Sequence, residues 1–431
     1  MIKTGSLSRP ALSFLTPCIV FLFLSCIDDE PNSNSNTSPS AGNEVIVEWN
    51  RMAYTIANQH DQFFTFTGVR ALGMAHIAMH DALNAITEKY RSYAFKEKHP
   101  DADPVTACCQ AAFEVLISVY PDRKDTLQKE LQRWLSAIKN DPAKEKGISL
   151  GKQSAAAILN LRLNDGYDAN GTYTPTNKPG FYQYTPGHSS VWKPDLSRTK
   201  PFALKSVSQF RSPAPPALTS TEYTDSYKEI KDFGRLNSTV RTADQTNLGH
   251  WWAEFGEHSW NRIGRITATG QKLPLWETAR LFALINMTLY DTYLASFDSK
   301  YTYDTWRPYT AVRNANQDDN PATIADTSWL PEMLTPPWPD YPSAHAAVGG
   351  AEAEIVSHVY GTPKVSFQME SLTALPAGKT RSYDNLDSAA DDCANSRIMN
   401  GFHFRFSTEE GKKQGRKIAR YIYSNYLEKI N

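Results

Sequence analysis

From residue 45 onward, apolar residues recur at helical spacing along almost the whole chain, whereas the strict alternation of a half-buried strand is scarce. Spacings of three and four residues place apolar side chains on one face of a helix, and that face needs a partner surface to cover it. Helices are predicted over residues 45–58, 69–89, 104–119, 124–138, 145–162, 220–236, 242–255, 275–297, 345–360, 388–399 and 408–427. We therefore expect an all-α fold of packed helical bundles.

The charge balance excludes partners that need a strong global field. The 431 residues carry 45 Lys plus Arg against 46 Asp plus Glu, a formal net charge of −1. We expect no binding to nucleic acid and no electrostatic attraction to an anionic membrane surface. Because 41% of the residues are apolar, the chain can form one large core or two fused smaller ones. Any anion site must come from a local cluster of cations.

Two helical segments form a weak internal repeat. The segment from Arg70 to Asp81 aligns with the segment from Arg280 to Asp291, with the arginine and the aspartate equally far apart in both. Chance similarity between amphipathic helices is the alternative, and duplication is the interpretation we favour.

Each copy of the repeat runs on to a Lys-Tyr pair, at Lys89 or at Lys300. We predict two tandem helical bundles, an N-terminal one over 44–219 that includes a long Pro/Gly-rich connection, and a C-terminal one over 220–431. The sequence after Lys89 lacks the features that follow Lys300, so the C-terminal bundle is expected to carry the chemistry.

The N-terminus has the pattern of a targeting segment. Two basic residues precede an apolar run over 11–24, which ends at a serine and Cys26. This resembles a bacterial lipoprotein signal peptide over 1–26, followed by a polar, flexible tether over 27–43. We expect an extracytoplasmic protein, lipid-anchored at Cys26 or periplasmic, with plain secretion or an uncleaved anchor as alternatives.

Cysteines and histidines outside the motifs give no metal signature. Cys108, Cys109 and Cys393 show neither zinc spacing nor a disulfide framework. Two alternatives remain open: a disulfide between Cys393 and either Cys108 or Cys109, or three buried free thiols. His76 and His80 are four residues apart on one predicted helix, yet no third ligand accompanies them. We expect these histidines to form core or interhelical hydrogen bonds.

The first of three motifs contains two cations, Lys300 and Arg307, seven residues apart and followed by proline. On a continuous helix this separation is nearly two turns and places both cations on one stripe. A solvated surface is the usual outcome for such a pair. The aromatic residues Tyr301, Tyr303 and Trp306 between them argue against it.

The second motif is a proline-rich approach that ends at Pro342 and leads through Ser343, Ala344 and His345 into a run of small residues. Proline is favoured in the first turn of a helix, so a helix is predicted to begin here. Free N–H groups, the positive end of the helix dipole and the serine hydroxyl would together bind an oxyanion. An ordinary capped helix is the alternative.

The third motif places Arg397 six residues before His403, too far apart for one helix face. Gly401 between them is typical of a helix end, and a turn there would swing His403 back beside Arg397. Ser407 and Glu410 have the spacing of a capping box, which predicts that the last helix starts after Ser407.

The three motifs together supply three cations, a serine hydroxyl, helix amides and two histidines. This set suits a multiply charged tetrahedral oxyanion, with one histidine at its centre and the other moving protons. The three motifs resemble the signature of the vanadium-dependent haloperoxidase and type 2 phosphatidic acid phosphatase superfamily. In that signature, Lys, six residues and Arg-Pro are followed by Pro-Ser-Gly-His, and then by Ser-Arg, three residues, Gly, one residue and His. The detailed match covers 280–416, and the segments 280–313 and 338–343 look like its soluble bacterial haloperoxidase branch.

The resemblance implies a paired-bundle fold and a vanadate cofactor held by Lys300, Arg307, Ser343, the backbone N–H of Ala344, and Arg397. It implies that His403 is the axial metal ligand and that His345 handles protons. The implied activity is oxidation of halide, iodide or bromide, by hydrogen peroxide to hypohalous acid, with a small organic acceptor as a further possible partner. The alternatives are an acid phosphatase working through a phosphohistidine at the same site, and a non-catalytic oxyanion-binding relic.

Three residues in or near the motifs bear on how closely this site follows the family pattern. Ala344 stands where the family usually has glycine, which could shift the N–H donor. Ser407 replaces an aspartate that often ends the third motif, so a hydrogen bond from that aspartate to the histidine loop is in doubt. Trp338 stands five residues before Ser343, at a position that lies near the halide in the family, and a core tryptophan is the alternative.

Overall fold

Helices account for nearly all regular structure in the computed structural model, which describes residues 42–63, 66–169 and 171–430. The helices are α1 Glu44–Asp61, α2 Thr67–Ile86, α3 Pro104–Val119, α4 Lys124–Ser136, α5 Pro142–Leu161, α6 Thr221–Phe233, α7 Ala243–Trp251, α8 Gly256–Gly270, α9 Leu275–Tyr303, α10 Pro308–Arg313, α11 Ala344–Tyr360, α12 Leu386–Met399 and α13 Arg405–Asn425. Within the described residues the one sheet is an antiparallel hairpin of β1 Phe367–Glu370 and β2 Thr380–Tyr383, with Phe367 opposite Tyr383. The predicted all-α class is confirmed.

Side-chain caps fix several helix starts. Asp103 accepts a hydrogen bond from the Thr106 N–H before α3, and Asp141 accepts two from the first turn of α5. A proline follows each cap, where its missing N–H costs nothing. The predicted start of α5, at residue 145, is three residues too late, because the polar first turn has no apolar periodicity.

Helix α8 and the hairpin were not predicted. Gly256–Gly270 contains few large apolar residues, yet most of its side chains are buried, including Arg262 and Arg265. Periodicity of apolar residues cannot detect a helix whose buried face is polar and paired. The predicted helix over 242–255 in fact ends at Trp251.

Helix α9 lies at the centre of the molecule. It is buried along nearly its whole length and packs against α2, α8, α11 and α13. Apolar side chains from both halves of the chain, from Val45 to Leu427, form one continuous core. The predicted bundle boundary at 219/220 falls just before α6 and stays a prediction.

The repeat has a structural counterpart. The Asp81 carboxylate in α2 accepts hydrogen bonds of 2.6 to 2.9 Å from the backbone N–H groups of residues 93–95. Asp291 in α9 does the same for residues 202–204, at 2.7 to 2.9 Å. Each aspartate therefore satisfies three consecutive backbone donors and fixes a loop against its helix.

Cys108, Cys109 and Cys393 are buried free thiols, which settles the two alternatives left by the sequence. His76 lies 2.9 Å from the amide nitrogen of Asn50 in α1, and His80 contacts its neighbour Asp81. No cluster of three or more metal-ligating side chains occurs in the described part of the chain. The predicted core role of these histidines is confirmed.

The predicted signal peptide over 1–26 lies outside the described residues, and so does the tether 27–43 up to residue 41. Among the helices that the structure describes, none combines the length and the apolar character that a membrane span requires.

Candidate active site

Lys300 is fully buried near the end of α9. Its Nζ donates to the carbonyl oxygens of Pro339 at 2.9 Å and Asp340 at 2.8 Å, so it holds the proline-rich approach to α11. The helix then ends at Tyr303, because Asp304 takes a left-handed conformation with φ of 49°. The predicted helical stripe of Lys300 and Arg307 is therefore wrong: a turn, not a helix, separates the two cations.

Arg307 is the residue that precedes Pro308 at the start of α10, and it is completely buried. Its Nε donates to the carbonyl oxygen of Trp338 at 2.6 Å, and its Nη1 donates to that of Phe402 at 2.9 Å. One guanidinium thus ties the second motif to the third. Carbonyl oxygens compensate part of its charge without neutralising it.

Ser343 is the N-cap of α11, and Ala344 is the first residue of that helix. The Ser343 N–H donates to the carbonyl oxygen of Ser407 at 2.9 Å, and its hydroxyl accepts a 3.4 Å hydrogen bond from the Ala346 N–H. Pro342 lies before the cap and not in the first turn. The predicted helix start is confirmed, with the serine and the first amides at its positive end.

A glycine lets α13 approach this helix start closely. A Cβ at Gly411 would lie 2.4 Å from the Ser343 carbonyl oxygen, a distance that side chains do not tolerate. Backbone contact between α11 and α13 therefore depends on this residue, and it fixes the second motif relative to the third.

The third motif reverses direction at Gly401, whose φ is 75°. The N–H groups of Phe402 and His403 both point back to the Arg397 carbonyl oxygen, at 3.0 and 3.3 Å. The predicted turn that returns His403 beside Arg397 is confirmed. The predicted start of the last helix after Ser407 is wrong, because α13 begins at Arg405 and Ser407 lies inside its first turn.

Asp340 supports His403 and was not singled out in the sequence. Its Oδ1 lies 2.8 Å from the His403 Nδ1, although too far off the ring N–H direction for a regular hydrogen bond, and Oδ2 accepts from the Ser407 hydroxyl. On the other side of the ring, Nε2 is 3.1 Å from Nη1 of Arg307, which can only donate. His403 therefore carries its proton on Nδ1 and a lone pair on Nε2.

Ser407 thus has a use different from the aspartate it replaces. The carboxylate beside His403 comes from the second motif, at Asp340, and Ser407 holds that carboxylate in place. The only sequence signal was an acidic residue inside the proline-rich approach, which has no meaning until the fold brings residues 340 and 403 together.

His345 is the second residue of α11, and its Nε2 lies 3.2 Å from the backbone carbonyl oxygen of Glu254. The Glu254 carboxylate pairs with Arg262 of α8 at 3.1 Å. A neutral imidazole donating to that carbonyl has its lone pair on Nδ1. Glu254 was not recognised from the sequence because it lies in the turn before α8, where a continuous helix over 242–255 was predicted.

Arg397 completes the cluster of cations. It is 2% exposed, its Nη1 donates to the Trp252 carbonyl oxygen at 3.1 Å, and its guanidinium lies 4.8 Å from the centre of the Phe402 ring. The structure therefore brings together all the side chains that the sequence assigned to the site, from α9, the turn before α10, the start of α11, the end of α12 and the turn between α12 and α13.

Burial and mutual repulsion shape the acid–base properties of the cluster. Burial, then Arg307 and Arg397, holds the pKa of Lys300 well below its usual value. The pKa of each buried arginine falls to about 10, chiefly through burial. Burial and the neighbouring cations also hold the pKa values of His345 and His403 well below the usual range. Both imidazoles are therefore neutral at ordinary pH.

One carboxylate, Asp340, offsets these cations, and burial raises its own pKa to about 6. Within the described residues, the Arg307 Nη2 and the Arg397 Nε are buried and have no hydrogen-bond partner. Buried donors without partners and excess positive charge are costly, and a multiply charged oxyanion would satisfy both. A neutral His403 with its lone pair on Nε2 adds a ligand for the central atom.

An aromatic pocket adjoins the site. It is lined by Ala344 and His345 and by Phe63, Phe66, Trp192, Phe255, Glu257, Tyr293, Phe297 and Trp338. Trp338 lines this pocket and also packs against the hydrophobic core, and its predicted position near the halide stays a prediction. Phe63 and Phe66 come from the turn between α1 and α2, so the N-terminal half shapes the approach to the site.

Fold and site together define an all-α protein with an oxyanion site at the start of a helix. A family model described as the VCPO second helical-bundle domain matches residues 280–431. The vanadium chloroperoxidase of Curvularia inaequalis is 27% identical over 419 residues, which span 77% of this chain and 67% of that protein.

Solved structures agree. A bacterial vanadium-dependent iodoperoxidase superposes with a TM-score of 0.78 at 25% identity, covering 92% of this chain and 99% of its own. A holo bacterial vanadium-dependent chloroperoxidase gives a TM-score of 0.67 at 18% identity, covering 84% and 91%, a likeness in fold. The chain is therefore similar to vanadium haloperoxidases, which are enzymes, over residues 280–431 in sequence and over most of its length in fold.

Proposed function

We propose that this chain binds vanadate and uses it to oxidise iodide, and bromide less readily, with hydrogen peroxide. The observation that carries the proposal is the buried cluster of Lys300, Arg307 and Arg397, with unpartnered guanidinium donors next to a neutral His403. Iodide is the easiest of the common halides to oxidise. The structural similarity to an iodoperoxidase supports that choice.

The donor set fits vanadate in charge and in geometry. Lys300, Arg307 and Arg397 would contact its oxygens, the Ser343 hydroxyl and the Ala344 N–H would add the donors of the helix start, and His403 would ligate the metal through Nε2. When bound, vanadate supplies a Lewis acid at which hydrogen peroxide is activated towards attack by halide.

The protein's own residues then have distinct tasks. The Asp340 carboxylate near Nδ1 and the Arg307 donor at Nε2 both favour the His403 tautomer with its proton on Nδ1, so that Nε2 stays a ligand. His345 accepts a proton through Nδ1 and returns it, while the Glu254 carbonyl holds the ring in place through Nε2. The buried arginines hold negative charge without giving up protons at ordinary pH, so they bind the anion without taking part in proton transfer.

The hydrolytic alternative uses the same residues. His403 Nε2 could attack a phosphomonoester held by the same cations, and His345 could protonate the leaving alcohol. The fold and the relatives favour the oxidative reaction.

Reconstitution with vanadate tests the choice between the two reactions. Metal-free protein should oxidise little iodide, added vanadate should start peroxide-dependent oxidation, and phosphate should compete with vanadate for the site. If reconstituted protein oxidises no halide from acidic to neutral pH, while the metal-free form cleaves phosphomonoesters and vanadate inhibits it, the phosphatase function replaces the oxidase.

We also propose an extracytoplasmic location with a lipid on Cys26, supported by the apolar run and the polar segment that follows it. Mass spectrometry of the mature N-terminus should find a lipid-modified Cys26, and a Cys26→Ser protein should leave the membrane fraction. Cleavage at another residue, or a Cys26→Ser protein still bound to membranes, would contradict the proposal.

A further inference from the structure

The aromatic pocket beside His345 contains one carboxyl group, Glu257, in the first turn of α8. All its other lining residues except His345 and Ala344 are aromatic. Glu257 is 3% exposed as a residue, and Oε2 accepts a 2.7 Å hydrogen bond from the Tyr293 hydroxyl of α9. An acid in the wall of an otherwise apolar pocket controls the charge of that pocket.

Three of the four elements that pack against α8, namely α1, α9 and α11, bring a titratable side chain near this carboxyl group. Tyr293 comes from α9, Asp61 from α1 and His345 from α11, whereas the nearby cation Arg262, on the β1 side, pairs with Glu254. Burial raises the pKa of Glu257 to about 7, the Tyr293 hydrogen bond opposes that rise, and the charge of Asp61 adds to it. His345 stays neutral in this range, because burial and Arg397 hold its pKa well below the usual value.

We propose that Glu257 selects the charge of what enters the pocket: protonated, it admits halide to the region of His345, and ionised, it excludes halide. The inference rests on the proposed haloperoxidase function, since halide is the anion that must approach the site. Like charges in a pocket with few polar groups repel strongly, because little water screens them.

The size of the effect follows from the fraction of protein that is competent to bind. For a group with a pKa of about 7, the protonated fraction falls from about 90% at pH 6 to about 10% at pH 8. The apparent affinity for iodide should fall about tenfold over this interval. A neutral molecule of similar size should show no such change.

Tryptophan fluorescence can measure entry of iodide without turnover. Of the ten tryptophans, seven are at most 2% exposed: Trp49, Trp134, Trp251, Trp252, Trp260, Trp306 and Trp329. The three partly buried ones are Trp192 and Trp338, which lie in the pocket wall, and Trp276, which lies in the first turn of α9 and outside the pocket. In a Trp276→Phe background, iodide should therefore quench mainly the pocket tryptophans.

The experiment uses the full-length, vanadate-loaded Trp276→Phe protein without peroxide, titrated with iodide from pH 6 to pH 8. Quenching by iodide should weaken about tenfold with a midpoint near pH 7, while quenching by neutral acrylamide stays constant. Adding Glu257→Gln should give strong, pH-independent iodide quenching. Glutamine has the shape of the protonated acid, so the folded state should be kept.

Tyr293→Phe is the matched second variant. Loss of its hydrogen bond removes a contribution that lowers the pKa of Glu257, so the midpoint should move to higher pH. In turnover assays of proteins that retain Trp276, the iodide KM should rise above pH 7. Glu257→Gln should abolish that rise, and kcat at saturating iodide should stay the same.

The outcomes separate this inference from the proposed function. Identical pH profiles of iodide quenching in the parent and Glu257→Gln proteins, or a flat profile in the parent, overturn the role of Glu257. The same titration on metal-free protein should give the same Glu257-dependent profile. If it does while the loaded enzyme oxidises no halide, the proposed function fails and anion exclusion by Glu257 stands.

Discussion

The two Lys-Tyr pairs of the internal repeat end in opposite environments. The Lys89 side chain is 42% exposed and lies 3.8 Å from Glu277. The Lys300 side chain is fully buried and donates to two backbone carbonyl oxygens in the site. The aspartates of the repeat, by contrast, do the same work, since Asp81 and Asp291 each bind three consecutive backbone N–H groups. The two halves share scaffolding, and the cations and histidines of the site belong to the C-terminal half.

Removing the proposed metal ligand should have the largest effect. In a His403→Ala protein, vanadate-dependent iodide oxidation should fall by about a thousandfold or more, because the cations alone cannot replace a ligand to the metal. The purified variant should keep its circular dichroism spectrum. Unchanged turnover after reconstitution would remove His403 from the ligand role.

Removing either aspartate of the repeat should lower the stability of the protein by a similar amount. Asp81→Ala and Asp291→Ala each leave three backbone donors without their acceptor, so each should lower the free energy of unfolding by about 3 kcal/mol or more. Urea titrations of both variants measure this directly. A loss of under about 1 kcal/mol in one half would show that the aspartates are not equivalent.

The two lysines should differ sharply. Lys300→Ala should weaken vanadate binding by about 10- to 100-fold, because a charge-assisted contact to the anion is lost. Lys89→Ala is the matched control, and its surface ion pair should contribute no more than about 1 kcal/mol to stability and nothing to binding. Isothermal titration with vanadate compares them, and equal affinities in the two variants would contradict the assignment of Lys300.

The smallest effect concerns Ala344. Replacing Ala344 by glycine should change vanadate affinity by less than about threefold, because the backbone N–H is already at the first position of α11. It should cost roughly 0.5–1 kcal/mol of stability, the usual penalty of glycine in a helix. Thermal unfolding and vanadate titration would measure both, and a large gain in affinity would mean that the Cβ displaces the donor.

Much of the fold and the site's components follow from the sequence. Helix periodicity, the turn at Gly401 and the cap at Ser343 are local properties and were predicted. The prediction that Lys300 and Arg307 share one helical stripe was wrong because the helix ends at Asp304, and apolar spacing does not reveal that end. Asp340 and Glu254 were missed because each acts on a histidine far along the chain, a contact that tertiary structure alone creates.

The backbone hydrogen bond from Ser343 to Ser407 has a consequence for the order of synthesis. During translation, the N–H of Ser343 leaves the ribosome some sixty residues before its acceptor in the first turn of α13. The loop held by Asp81, in contrast, closes within about a dozen residues. Nascent chains can therefore fix that loop early, whereas in a chain interrupted before α13 the start of α11 lacks this hydrogen bond and keeps only its contacts to earlier elements. Truncated products should accordingly fail to hold the cofactor, which confines loading to completed chains.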